Sequence, residues 1–201
     1  MKKLLLACAL VVSSFSTASA DMKVAVIDLS KAFDSFAETK DAQAKLKTKQ
    51  EGFQKEIQGY INDYQRMGEE ATSLDKAAHD PTLSSQAQAD KGNALNQKKQ
   101  DLLNLQNKIQ ELKVERTREI QEELLKRHKE IVDKISKVVV DYSKPQGFDL
   151  VIDKSSASAA SGVSIILYSS DKLTDITAPI IDLLNKSYQA SAPAAASTAK
   201  P

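Results

Sequence analysis

Apolar side chains recur at alternating steps of four and three residues between positions 53 and 74. This spacing is the a/d rhythm of a coiled coil, and the positions between are dense in Lys, Glu, Gln and Asp. Such a helix is stable only when its apolar stripe meets a partner helix. The pattern therefore predicts a hairpin of two long helices. The stripe consists of Phe53, Ile57, Tyr60, Tyr64, Met67, Ala71 and Leu74.

The chain must reverse once between these two helices. Pro81 disfavours a helical conformation at Asp80, and Thr82 or Ser84 can cap the next helix. We predict an outgoing helix at about 31–78, a tip near 79–84 and a returning helix at about 83–143. The returning helix carries a first apolar row, and then, after Arg116, a row shifted in phase as in a stutter. The rows are Leu95, Leu102, Leu105, Ile109 and Leu112, then Ile120, Leu124, Ile131, Ile135 and Val138.

Four glycines interrupt the helical interval, at Gly52, Gly59, Gly68 and Gly92. Each costs about 1 kcal/mol relative to Ala in a helix. Two interpretations stand side by side: the glycines allow the arm to bend or fray, or they allow the two helices to approach closely.

Short β-rich segments flank the hairpin. We predict strands at 22–28, 148–153 and 163–168, and a final helix that runs from Thr177, as N-cap, to about Tyr188. The fold class is α+β, with a small β body and a long antiparallel coiled-coil arm. The body comprises residues 21–30 and 144–189, the arm 31–143, and an Ala/Ser/Pro-rich tail, 190–201, is predicted to be disordered.

The N-terminus has the pattern of a secretory signal peptide. Lys2 and Lys3 precede an apolar run too short to span a bilayer, and Ala18-Ser19-Ala20 matches a cleavage site. We predict cleavage after Ala20 and export to the periplasm. The alternative is lipidation of Cys8, since Leu5-Leu6-Ala7-Cys8 fits the letters of a lipoprotein box.

Charge and composition exclude several classes. Lys2 and Lys3 are the only charged residues of 1–20, so cleavage changes 28 basic residues to 26, against 27 acidic. This balance does not indicate nucleic acid as a partner. No phosphate loop, nucleophile motif or metal-ligand spacing is present, so we expect no enzyme activity, cofactor or metal. The isolated His128 and the strand-end residues Asp28, Asp149 and Asp153 are interpreted as surface, ladder and capping residues.

The three strands and one short helix form a core too small to stand alone. We predict self-association through apolar residues of the strands, namely Val24, Val26, Leu150, Ile152, Ile165 and Leu167.

The segments MKVAVIDLSKAF, FDLVIDKS, GVSIILYSS and DITAPIIDLLNK, placed around a hairpin of about 110 residues, resemble the OmpH/Skp family of periplasmic chaperones. The resemblance covers about Met22 to Tyr188. It implies a trimer whose β body carries three projecting helical arms. It also implies an activity, the holding of unfolded outer-membrane β-barrel proteins in solution without ATP.

Two classes of function follow. The first is a holdase whose arms surround an unfolded client, with contacts at Phe53, Ile57, Tyr60, Tyr64 and Met67. The second is a structural coiled coil that serves as a spacer or tether in the cell envelope. The near-neutral charge leaves contact with membranes or lipopolysaccharide open.

Overall fold

The computed structural model describes residues 22–157 and 163–191. The predicted signal peptide and lipoprotein box lie outside the described residues, as do residues 192–201 of the predicted disordered tail. The elements in chain order are β1 (Val24–Ile27), α1 (Leu29–Ser35), α2 (Ala37–Ala78), α3 (Ser85–Ser143), β2 (Leu150–Asp153), β3 (Thr174–Asp175) and α4 (Thr177–Ser191).

Helices α2 and α3 form an antiparallel hairpin that makes up most of the molecule. The chain reverses between Ala78 and Ser85, around Pro81. Ser84 caps α3 by accepting a hydrogen bond from the backbone N–H of Ala87 at 3.2 Å. The long helical hairpin beside a small strand body confirms the predicted fold class.

The sequence pattern predicted one continuous helix over residues 31–78. In the structure this helix is broken at Phe36. This residue is extended, with φ −72° and ψ 127°, and its side chain is only 3% exposed. Asn185 of α4 stabilises the break, because its side chain accepts a hydrogen bond from Ala37 N at 2.8 Å and donates one to Ser35 O at 3.3 Å. The break thus turns the ring of Phe36 into the core and lets α2 leave the body.

The glycines of the hairpin do not mark close contacts between the helices. A Cβ atom placed on Gly52, Gly59, Gly68 or Gly92 would meet no heavy atom within 4 Å. The close-approach interpretation is therefore wrong, and the glycines lower helix propensity without a packing gain.

A three-stranded sheet lies at the root of the hairpin, in the order β2-β1-β3. Both neighbours run parallel to β1, with Val24 opposite Leu150 and Val26 opposite Ile152 and Asp175. The first strand of the chain, β1, is therefore the central strand, and both of its neighbours come from the C-terminal part of the chain.

The predicted strand at 163–168 is wrong. Its described residues form only an isolated antiparallel bridge between Ser164 and Ala157, and the third strand of the sheet is the short β3. Ile165 and Leu167 are 61% and 84% exposed. The segment is apolar and β-branched, as the sequence indicated, but within one protomer its described residues do not pair with the sheet.

The core of the body is built where the sheet, the roots of α2 and α3, α1 and α4 meet. Its largest fully covered side chains include Ile135, Ile180 and Leu184. Thr177 is the first residue of α4 and not its N-cap. Asp175 accepts from Thr177 N at 2.8 Å, while the Thr177 hydroxyl accepts from Asp28 N at 2.9 Å. The start of α4 is thereby tied to the end of β1.

No helix within residues 22–157 and 163–191 is both long and apolar enough to cross a membrane.

Candidate functional site

Ion pairs cross from α2 to α3 along the whole hairpin. From root to tip they join Glu38 to Lys134, Lys49 to Glu119 and Glu123, Glu56 to Arg116, and Glu70 to Lys98. The falling numbers on α3 fix the antiparallel register. Because these side chains are a quarter to a half exposed, each pair contributes little stability and serves mainly to specify alignment.

Two of these pairs enclose Phe53, the first of the predicted contact residues. The Arg116 guanidinium lies 4.7 Å and the Lys49 ammonium 5.7 Å from the ring centroid of Phe53. The Lys49 ammonium donates hydrogen bonds to Glu123 and Glu119, which raise the pKa of Lys49, and its hydrogen bond lowers the pKa of Glu119. Both groups therefore stay charged at neutral pH, and the ring remains covered by cations.

Phe53 and Ile57 line a groove of about 340 Å³ between the two helices, opposite Arg116 and Ile120. Both apolar residues are half-buried. The groove is open to solvent, and its volume could hold individual apolar side chains of a bound segment.

The other predicted contact residues also lie along the seam between the helices. Tyr60 is half-buried, and Lys108 of α3 lies 4.4 Å from its ring centroid. Tyr64 and Met67 are half-buried as well. The heptad spacing thus identified residues that pair the two helices, which leaves only part of each side chain for another ligand.

Large apolar side chains that are mostly exposed on the hairpin belong to α3 alone. They are Leu103, Val114, Leu124, Leu125 and Val140. Leu124 was predicted to continue the seam but is 51% exposed, so its place in the shifted row is wrong. Leu103, Val114 and Leu125 stand 11 residues apart, a spacing that a search for heptads does not detect.

The residues predicted for self-association fall into two groups. Val26 is 4% exposed and is already covered within the protomer, and Val24 and Ile152 are half-buried. In contrast, Leu150 is 45% exposed and stands, like Ile165 and Leu167, at the surface of the body.

An apolar groove of about 540 Å³ runs along β2 and continues onto the root of α3. Its lining includes Val139, Val140, Phe148, Leu150 and Val151. In one copy of the chain, therefore, the body presents both an open strand edge and an open apolar surface.

The acidic residues at the strand ends serve as caps. Asp28 accepts from Lys31 N at 2.8 Å, and Asp149 accepts from Lys23 N at 2.8 Å. Partial burial raises the pKa of Asp153, but hydrogen bonds from Ser155 and Ser156 outweigh it and leave that pKa below its ordinary value. Among the described residues, no three His, Cys, Asp or Glu side chains are grouped closely enough to hold a metal ion.

The two histidines lie apart from each other. His79, at the tip, has Nδ1 2.8 Å from Asp75 O, while His128 is exposed on α3 with its ring centroid 4.9 Å from that of Phe33. The Nδ1 atom of His79 also lies 3.9 Å from Asp75 Oδ1, and His128 lines a pocket together with Ser155 and Ser156.

Comparison with known proteins supports a single family. The structure is similar to that of a putative outer membrane chaperone (OmpH-like) from Caulobacter crescentus, with a TM-score of 0.65 and 16% identity. The match covers 83% of this chain and 85% of the other, and at that identity it shows the fold alone. No curated protein matches the sequence significantly. The family model for Outer membrane protein (OmpH-like) matches residues 23–184, so the chain belongs to the OmpH-like family.

Proposed function

We propose that the protein is an ATP-independent holdase that keeps unfolded outer-membrane β-barrel proteins soluble in the periplasm. The observation that carries this proposal is the shape of the hairpin together with its surface. Helix α2 alone has 42 residues, which corresponds to ~60 Å, and large apolar side chains are exposed along α3. A long shaft with scattered apolar contacts suits many weak interactions with an extended chain.

The fold and family support a chaperone. The relative of similar structure is named as an OmpH-like outer membrane chaperone, and the predicted signal peptide directs this chain to the same side of the inner membrane as nascent barrel proteins. In a compartment without ATP, release must follow from client folding or transfer. Several shallow contacts on the same protein then give tight overall binding, because each bound segment of the client raises the effective concentration of the next, although each single contact breaks quickly.

We further propose that the body assembles as a homotrimer. This proposal is supported by the free edge of β2, the apolar groove beside it and the exposed apolar side chains of Leu150, Ile165 and Leu167, since an open strand edge beside exposed apolar surface favours association. The number three comes from the family resemblance.

Sedimentation tests the assembly. Ile165→Asp with Leu167→Asp should give monomers with unchanged helix content, because both side chains are exposed within the protomer. Asp substitution at Val26 is a poorer test, since it would bury a charge in the protomer itself. A double variant that stays trimeric would place the interface elsewhere.

Light scattering tests the chaperone activity. A porin unfolded in urea is diluted into buffer with and without the mature protein, and suppression of its aggregation is the expected result. Replacement of residues 67–96 by a short Gly/Asn turn should preserve the trimer and weaken suppression, because the shortened arms enclose less of the client. Full activity of that variant would place client binding on the retained part of the arm or on the body, and no suppression by the intact protein would favour the spacer or tether.

A further inference from the structure

One face of α3 is free of charged side chains for about ten turns. The row follows steps of three and four residues, which places its members on one side of the helix. It consists of Leu103, Asn107, Gln110, Val114, Thr117, Gln121, Leu125, His128, Val132, Ser136 and Val139, and we call it the neutral row.

The neutral row lacks charge although this part of α3 is rich in charged residues. Sixteen of the 37 residues at 103–139 are Lys, Arg, Asp or Glu, and all sixteen lie outside the row. The nearest, Arg118, lies at the margin, and its Nε approaches Glu122 Oε1 at 3.8 Å on the side away from the row.

The neutral row is distinct from the seam that pairs α3 with α2. The seam residues Ile109, Ile131 and Ile135 are at most 7% exposed, whereas Leu103, Val114 and Leu125 are 53%, 70% and 71% exposed. Between residues 103 and 128 the two rows lie about a third of a turn apart by the helical period, and the hairpin leaves the second row in solvent. Closer to the root the neutral row meets the body, where Val132 and Val139 are half-buried and Val139 packs against the core.

A second copy of this chain is a poor occupant for the neutral row. Helices pair through apolar residues every three or four positions, but the exposed apolar residues of this row are 11 positions apart. Three such side chains offer roughly 300 Å² on each copy, about half of the ~600 Å² per partner that the smallest stable protein interfaces bury.

An extended, uncharged chain fits the neutral row better. Its apolar tips are ~16 Å apart, so a flexible segment can touch two or three of them without adopting a helix. The Asn, Gln and Thr side chains between them offer donors and acceptors to unpaired peptide groups of that segment. Because no charge has to be desolvated, the surface does not penalise the apolar residues of a barrel strand.

We propose that the neutral row of α3, and not the Phe53–Met67 stripe of α2, is the main surface on which an unfolded β-barrel segment lies. This inference rests on the proposed holdase function and specifies its site. The α2 stripe is engaged in the seam, and the ring of Phe53 is already covered by two cations.

Matched photo-crosslinking tests the inference in the full mature assembly. A benzophenone amino acid is placed at Leu103, Val114 or Leu125, and in the control at Asn104, Glu115 or Lys126. Each control position is one residue further along and exposed, so it stands at the same height on a different side of α3. With a urea-diluted porin, we expect several-fold higher client crosslinking from the first set.

A substitution experiment provides the second measurement. Leu103→Gln, Val114→Gln and Leu125→Gln together should weaken porin binding at least five-fold, with helix content and sedimentation unchanged. The control pair Glu115→Gln and Lys126→Gln keeps the net charge and should change binding less than two-fold.

The outcomes separate the inference from the function on which it rests. If the intact protein suppresses porin aggregation but both crosslinking sets react equally, the neutral row is not the site. Crosslinks mainly to a second copy of this chain would also overturn it. If the intact protein does not suppress aggregation at all, the holdase function itself is wrong.

Discussion

The body and the arm of this protein bury their apolar residues in different ways. In the body, side chains from β1, α1, α3 and α4 converge, and Ile135 and Ile180 are completely covered. In the arm, each helix has a single neighbour, and most seam residues remain half-buried. Two helices alone cannot enclose a core. The arm is therefore long but less stable than the body, and much of its surface remains exposed.

The largest expected difference is in the response to lost core volume. Ile180→Ala should lower the free energy of unfolding by about 3 kcal/mol, since it leaves a cavity among covered side chains. Ile57→Ala, the same change at a half-buried seam position of the arm, should cost about 1 kcal/mol because part of that side chain already lies in water. Urea unfolding followed by circular dichroism measures both, and equal losses would contradict the contrast between the two regions.

Acid should weaken the body through Asp175. Burial raises the pKa of Asp175, but hydrogen bonds from Lys154 and Thr177 lower it to about 2, below its ordinary value of 3.8. The stabilisation is therefore complete above the ordinary value and is lost as the pH falls towards 2. The full shift corresponds to about 2 kcal/mol, which screening reduces to about 1 kcal/mol because the side chain is 44% exposed.

Asp175→Asn tests this linkage. At pH 7 the variant should be about 1 kcal/mol less stable than the parent, and the two should converge near pH 2. The matched change in the arm, Asp63→Asn, should cost less stability at pH 7, because the ion pair of Asp63 with the exposed Arg66 contributes little. A constant difference at all pH values would show that Asp175 acts through shape and not through its charge.

Replacement of a glycine by alanine should stabilise the helices of the arm and leave the stability of the body unchanged. Gly59→Ala should stabilise α2 by up to about 1 kcal/mol, since a methyl group there meets nothing within 4 Å. Hydrogen exchange of arm amides should slow, whereas exchange in β1 stays unchanged. Ala44→Gly, also exposed on α2, is the reverse control and should speed exchange. If Gly59→Ala left exchange unchanged, helix propensity would not limit arm stability.

The smallest effect is expected from salt. Residues 31–141 carry 20 basic and 20 acidic side chains, and the surface proposed for clients is uncharged. A rise from low to moderate ionic strength should therefore change porin binding less than two-fold. A steep loss of affinity would show that local charge clusters, and not the neutral row, capture the client.

The sequence predicted what depends on local pattern. The hairpin, its reversal at Pro81, the cap at Ser84 and the first two strands all carry signals within a few residues of the feature. The break at Phe36 carries none, because the side chain that stabilises it, Asn185, lies 148 residues away from Ala37. Strand β3 has only two residues, too few for any period to appear.

The candidate site was predicted only in part for a related reason. Heptad spacing selects residues that pair helices, so it identified Phe53 and Tyr60, which the structure places along the seam. An exposed row with apolar residues 11 positions apart has no heptad signal. The row could have been found from its lack of charged residues. That lack is visible only when residues three and four positions apart are compared, because they share one side of the helix.

The central position of β1 has a consequence for the order in which the protein folds. Lys23 pairs with Asp149 across 126 residues, so the sheet cannot close until nearly the whole chain has been synthesised. The arm depends on nearer contacts and can form from its tip towards its root. It thereby brings the two distant strands together and removes most of the ~4 kcal/mol that closing such a loop would cost. We expect a chain interrupted before Thr174 to form an arm without a finished body, which makes it more sensitive to proteases than the full chain.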